Sequence, residues 1–416
     1  MKWFDAVIYA AISICIVGAP RAYGAPNVNQ HGLTGSWYEP ATSGQGFELE
    51  VFPDLVAPGT ALVQGAWFTY DTAATGGVER QRWYTFAGNG VIGQSNVQVT
   101  IYRNINGNFN SLPITNPEVV GSGTLAFSDC TTATFIYSFS DGTGRTGSIP
   151  LTRLTPNVTC SAGVTPLTDS DFALSGNWFR SNISGQGIVV EINPIASIFF
   201  LTWYTYARSG QTLGATGQRW FTAQGAFARG SRSVTGPLYE TTGGLFDQPT
   251  SPGPSSLRVG TATMSFVSCN SALLEYNFIS GGNIDRIGAI QISRIGPVPH
   301  GCGAFPPDAR AATLQLLGSW KLYTADEQTL LASYTFTYSQ ITQGANGWFI
   351  RAGIGTQAGY NTTTSSYYMI DLAKETGFVW EFVFDSVPND HRVNGCRYHY
   401  PTSSTNKGAC SQFVGF

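Results

Sequence analysis

From residue 35 onward the chain runs in short stretches where apolar and polar side chains alternate. Phe47, Leu49 and Val51 share one face and Glu48 and Glu50 the other; Ile188, Val190 and Ile192 keep the apolar face further along. Period two predicts half-buried β-strands. Such runs, rich in Val, Ile, Thr and aromatics and bounded by Gly, Pro, Asn or Asp, fall at 36–39, 46–52, 61–70, 80–86, 96–102, 123–128, 134–139 and 148–154. No helical period interrupts them. Eight sequential strands with short joints predict an up-and-down antiparallel barrel, because closure removes the edges an open meander exposes; a two-sheet sandwich is the alternative. Barrels of about eight strands either fill with side chains or hold one small ligand.

The same pattern is written twice. Gly35-Ser36-Trp37-Tyr38 and Ser43-Gly44-Gln45-Gly46 return as Gly176-Asn177-Trp178-Phe179 and Ser184-Gly185-Gln186-Gly187. Trp67-Phe68-Thr69-Tyr70 returns as Trp203-Tyr204-Thr205-Tyr206, and Gln81-Arg82-Trp83-Tyr84-Thr85 as Gln218-Arg219-Trp220-Phe221-Thr222. Length differences between the copies fall in Gly/Pro/Asn-rich joints, as expected of loops. The expected organisation is all-β: barrel-like repeats at 30–160 and 170–302, then a smaller β-domain at 314–416 behind a linker at 303–313. That last unit restarts with Gly318-Ser319-Trp320 but lacks the SGQG and QRW motifs, and strands are expected there at 334–338, 348–351, 367–372 and 378–384.

Composition narrows the function classes. Only 11% of the 416 residues are charged and the net charge is −3, which argues against a nucleic-acid binder that must neutralise phosphates. Residues 1–24 read as a signal peptide: Lys2, an apolar run over 6–18, then small residues before a cleavage expected ahead of Ala25. The run is shorter than the ~20 residues a membrane span needs, so no span is expected after its removal. Removal also takes Cys15 and leaves six cysteines, expected to pair as Cys130–Cys160, Cys269–Cys302 and Cys396–Cys410 in an oxidising compartment, periplasmic or extracellular. His391, Cys396, His399 and Cys410 have zinc-ligand spacing, but the disulfide is the favoured reading and no metal or cofactor is expected.

At Gly35-Ser36-Trp37 the chain resembles the lipocalin and avidin barrels, whose first strand opens with Gly-x-Trp. The resemblance implies that this Trp closes one barrel end beneath an Arg from near the last strand, which points to Arg153 on Trp37 and Arg294 on Trp178. The segment after the motif, Glu39-Pro40-Ala41, does not carry over the biotin contacts of avidins. The chain is also similar to secreted bacterial proteins built from GxWY…SGQG…WFTY…QRWYT modules, a likeness that spans both copies and brings no activity.

Polar residues kept in both copies serve either the fold or a shared site. The structural reading has the Gln side chains satisfying turns and Glu50 pairing with Arg82 on a sheet face. The functional reading makes an aromatic and polar ligand surface of Trp67, Tyr70, Gln81, Arg82 and Trp83, and of Trp203, Tyr206, Gln218, Arg219 and Trp220. No catalytic residue is assigned. Of Glu39, Glu48 and Glu50 only Glu50 has a carboxylate counterpart, and none of the four histidines lies in a repeated strand. Asp141-Gly142-Thr143-Gly144 reads as a hairpin turn. The expected function is therefore that of a secreted, non-catalytic binding protein, with glycan or cell-envelope polysaccharide as favoured ligand. The alternatives are a lipocalin-like carrier of a small apolar molecule and a secreted inhibitor or adaptor that binds another protein; oligomeric state is left open.

Overall fold

The structure, a computed structural model, describes residues 24–73, 76–163, 167–208, 213–345, 347–387 and 392–416. The expected signal segment lies outside them except for Gly24, and so does His391.

Two closed eight-stranded antiparallel barrels follow one another. The first comprises β1 (Gly35–Tyr38), β2 (Gly46–Ala57), β3 (Thr60–Tyr70), β4 (Gln81–Val91), β5 (Asn96–Arg103), β6 (Glu118–Phe127), β7 (Thr132–Phe139) and β8 (Thr146–Arg153). The second comprises β9 (Gly176–Phe179), β10 (Gly187–Asn193), β11 (Ile198–Tyr206), β12 (Gln218–Ala226), β13 (Ser233–Thr242), β14 (Ser255–Phe266), β15 (Ser271–Phe278) and β16 (Ile287–Arg294). A four-residue strand closes each barrel. Trp37 on β1 sits opposite both Phe47 and Arg153, and Trp178 on β9 opposite both Ile188 and Arg294. The Arg153 guanidinium lies 5.6 Å from the Trp37 ring and that of Arg294 4.6 Å from Trp178, as the Gly-x-Trp resemblance implied. The alternating apolar positions fill both interiors: Phe47, Trp67 and Phe135 in the first, Ile188, Trp203 and Phe278 in the second.

Residues 303–313 are more than a linker. A short helix, α1 (Ala309–Leu314), begins within them, its first turn capped by Asp308 accepting the Ala311 N–H at 2.9 Å. The C-terminal unit has nine strands where four were expected: β17 (Gly318–Thr324), β18 (Leu330–Phe336), β19 (Ile341–Gly344), β20 (Gly347–Arg351), β21 (Thr356–Asn361), β22 (Ser366–Asp371), β23 (Phe378–Phe384), β24 (Val393–Pro401) and β25 (Ser411–Gly415). They form one curled sheet in the order β18-β17-β25-β24-β23-β22-β21-β20-β19. Its last strand returns to its first, as β8 returns to β1. It stays open between β18 and β19, which a turn at Tyr338–Gln340 separates. The Gly-x-Trp motif recurs with the same indole hydrogen bond: Trp320 Nε1 donates to the Leu316 carbonyl at 2.8 Å, as Trp37 does to Leu33 at 3.3 Å.

All three expected disulfides are present. Cys396 and Cys410 are joined to each other, so the disulfide and not the zinc reading holds for them. No helix among the described residues is long and apolar enough to cross a membrane.

Candidate functional site

The residues expected to form an exposed ligand surface are placed inside the molecule. Trp67 and Trp203 point into their own barrels. Tyr70, Trp83, Tyr206 and Trp220 meet Phe68 and Tyr204 in an apolar seam between the barrels. Their polar partners are consumed reciprocally. Trp83 Nε1 donates to the Thr205 carbonyl at 3.1 Å, and Trp220 Nε1 to that of Thr69 at 3.3 Å. The Gln81 amide donates to Trp220 and Thr241 carbonyls, and the Gln218 amide to those of Trp83 and Asn104. Arg82 is held by Asp71 at 2.8 Å and by carbonyls of its own turn, and Arg219 by the carbonyls of Thr216 and Gln218. The expected surface is thus a pseudo-twofold junction, buried because strands β3, β4, β11 and β12 are apolar on their outer faces as well.

The exchange reaches the barrel mouths, the ends remote from Trp37 and Trp178. Phe246, from the β13–β14 loop of the second barrel, enters the first, 5.1 Å from the Trp67 ring, with the Arg145 guanidinium 4.6 Å from its own. Phe109, from the β5–β6 loop of the first barrel, enters the second, 5.2 Å from Trp203, with Arg286 at 5.1 Å. The SGQG glutamines hold these loops. The Gln45 amide donates to the Leu245 carbonyl at 3.1 Å, and the Gln186 amide to that of Asn108 at 3.2 Å. Gly107 and Gly244 permit the approach: a Cβ there would stand 2.1 Å from the Tyr206 ring and 2.0 Å from the Tyr70 ring.

The buried charges are exchanged too. Glu50 pairs with Arg294 of the second barrel at 2.8 Å, correcting its expected pairing with Arg82, and Glu191 pairs with Arg153 of the first at 3.4 Å. All four side chains are fully buried. Burial raises the Glu50 carboxyl to about 7 against the pull of Arg294. Burial, with Glu191 nearby, holds Glu48 well above the ordinary carboxylate range, its carboxyl bound by the Ser36 and Thr202 hydroxyls. Sealed from solvent, these carboxyls hold the junction and face no substrate.

Partly exposed tryptophan lies elsewhere. Among the described residues every Trp of the barrels is buried, as is Trp320, whereas Trp348 and Trp380 of the C-terminal unit keep exposed area. Trp348 walls a cleft of about 380 Å³ between that unit and the second barrel. Arg310 lies 4.8 Å from its ring and pairs with Glu275, whose Oε1 also accepts from the Tyr338 hydroxyl at 2.8 Å. The bonded hydroxyls of Ser233 and Ser265, 2.9 Å apart, line the opposite wall with Thr263. Glu275 Oε2 and Asp308 Oδ2 accept from no described residue. An aromatic wall, a guanidinium, hydroxyls and two unengaged carboxylate oxygens can bind a polyhydroxyl ligand, with ring faces on the wall and hydroxyls on the oxygens. Sequence reasoning passed over this cleft because its residues come from β13, β14, β15, α1 and β20, with no local motif.

Comparison with protein-family models, curated proteins and solved structures finds no match. What the fold and junction define is a class: two barrels fused face to face, each mouth stoppered by the other, with an open β-sheet unit appended.

Proposed function

We propose that this chain is an exported, non-catalytic glycan-binding protein whose ligand site is the Trp348 cleft, the double barrel serving as its rigid support. The observation that carries this reading is the distribution of tryptophan. Partly exposed tryptophan occurs in the C-terminal unit, and Trp348 is combined there with hydroxyls, carboxylates and Arg310. Three disulfides fit an oxidising compartment and hence export. The carrier alternative loses support, because side chains fill both barrels and a phenylalanine closes each mouth. The test is co-sedimentation of the full chain with insoluble polysaccharides and purified cell envelope, beside a Trp348→Ala variant whose near-UV circular dichroism reports an intact fold. Binding that the variant loses supports the cleft. Equal binding by parent and variant moves the site elsewhere, and no binding by the folded parent refutes the glycan reading for the polymers tried.

A further inference from the structure

The three units place different guests at equivalent mouths. Counted back from the strand that closes onto the first, the loop between the fifth and sixth strands spans 104–117 in the first barrel and 243–254 in the second, and each lends its phenylalanine to the other barrel. The equivalent joint of the C-terminal unit, between β22 and β23, is only 372–377 and reaches no neighbouring barrel. It folds over its own mouth. Lys374 Nζ stands 4.9 Å from the Trp380 ring, and Glu375 accepts from Trp380 Nε1 at 3.2 Å and from His399 Nε2 at 2.9 Å.

The rim has the aromatic-plus-arginine make-up of the other mouths. The His399 ring lies tilted 4.4 Å from Trp380 and 4.7 Å from Phe378, and Arg397 lies 5.5 Å from Trp380. At the first two mouths the arginine covers an inserted Phe. Here no phenylalanine of the described chain is inserted; Lys374 of the 372–377 joint reaches across to donate to the Leu331 carbonyl, and the half-buried Arg397 guanidinium donates to no described residue. The neighbouring carboxylates are already engaged: Glu375 as above, and Asp371 by the Tyr334 hydroxyl at 3.1 Å and the N–H groups of Ala373 and Lys374. The unclaimed group at this mouth is therefore a planar cation beside an indole.

We infer that the mouth of the C-terminal sheet is a second subsite, which takes the carboxylate of an acidic sugar on Arg397 with its ring against the Trp380–Phe378 edge. A guanidinium offers a carboxylate two parallel N–H donors, and such charge-assisted pairs are roughly twice as strong as neutral hydrogen bonds. The inference rests on the glycan reading and narrows it to uronic-acid-containing chains.

Isothermal titration of the full chain with a galacturonic acid trimer and with the neutral galactose trimer separates the two ideas. The acidic trimer is expected to bind about tenfold more tightly, the factor one good charge-assisted bidentate contact supplies. Arg397→Gln should abolish that preference while leaving the neutral trimer's affinity unchanged, and Trp348→Ala, at the β19–β20 end of the sheet away from this mouth, should weaken the neutral trimer while leaving the Arg397-dependent binding of the acidic one. Arg397→Lys, which keeps the charge and loses the fork, should fall between and serves as the test if Arg397→Gln misfolds. Equal affinity for the two trimers, or a preference that survives the Arg397 substitutions, overturns the acidic subsite and leaves the glycan reading standing. Failure of both trimers to bind overturns both.

Discussion

Replacing Phe246 with Ala would unstopper the first barrel from the second. The ring is 6% exposed and lies 5.1 Å from Trp67 and 5.8 Å from both Tyr137 and Phe139. Burying a Phe side chain contributes about 2–3 kcal/mol, its edge contacts about 1 more and the Arg145 guanidinium about 0.5–1. Phe→Ala in cores costs about 3–5 kcal/mol. Because this site opens to solvent once the ring is gone, water refills it and the lower end applies, about 3 kcal/mol. With a urea dependence of ~3 kcal/mol per molar, the midpoint should drop by about 1 M. Tryptophan fluorescence follows the transition, and 8-anilinonaphthalene sulfonate should bind the opened mouth of the folded variant. Phe109→Ala should behave the same way at the other mouth. A midpoint shift under about 0.3 M, on the same slope, would mean that the ring is not seated in the mouth and that the exchange of stoppers is not what joins the barrels.

Three further outcomes follow, two from the junction and one from the first barrel's disulfide. Glu50→Ala leaves the Arg294 guanidinium buried without its carboxylate, and thermal unfolding should report a loss of about 3–5 kcal/mol, most of it recovered in Glu50→Gln/Arg294→Met; a loss under about 1 kcal/mol contradicts the burial. Glu48 has its folded pKa raised, so its contribution is fully present below the unfolded value near 4.5 and is lost as pH rises toward the folded one. Urea midpoints taken between pH 4 and 8 should therefore fall more slowly in Glu48→Gln, which removes a slope of about 1.4 kcal/mol per pH unit, and parallel curves for parent and variant count against a neutral Glu48. Cys130→Ser/Cys160→Ser frees a loop of sequence separation 30, which should cost roughly 3–4 kcal/mol in reversible denaturation, and an unchanged midpoint would place the bridge outside the cooperative unit.

The barrels were legible because their signals are local. Alternation at Phe47, Leu49 and Val51 marks β2, and Arg153 and Arg294 stand where the Gly-x-Trp resemblance puts them. The junction was misread because the QRW and WFTY motifs were weighed as exposed. Their own pattern carried the correction: Trp67 faces inward while Phe68 and Tyr70 face outward, an apolar run on both faces that belongs to a strand covered on both sides. Gly107-Asn108-Phe109-Asn110 and Gly244-Leu245-Phe246-Asp247 were a further repeat, unread because they lie in loops. In the C-terminal unit β19 and β24 lack alternation, with Thr342, Gln343, Arg397 and His399 where apolar residues would mark a strand, so pairing and not propensity defines them.

The exchange also bears on valence. Two tandem copies first suggest two equivalent sites and a gain in avidity. Here the equivalent surfaces of the copies face each other, each Gln45 or Gln186 amide holds the other copy's loop, and each mouth is filled. Neither barrel can present that surface to a ligand without exposing two phenylalanines and breaking two buried ion pairs. Duplication has therefore been spent on making one body from two barrels, and the unit left over, the C-terminal sheet with its short β22–β23 joint, is where, among the described residues, no phenylalanine from another barrel stoppers the mouth. The proposed glycan binding then runs through one asymmetric unit, and a stoichiometry of two equivalent ligands per chain would contradict that proposal.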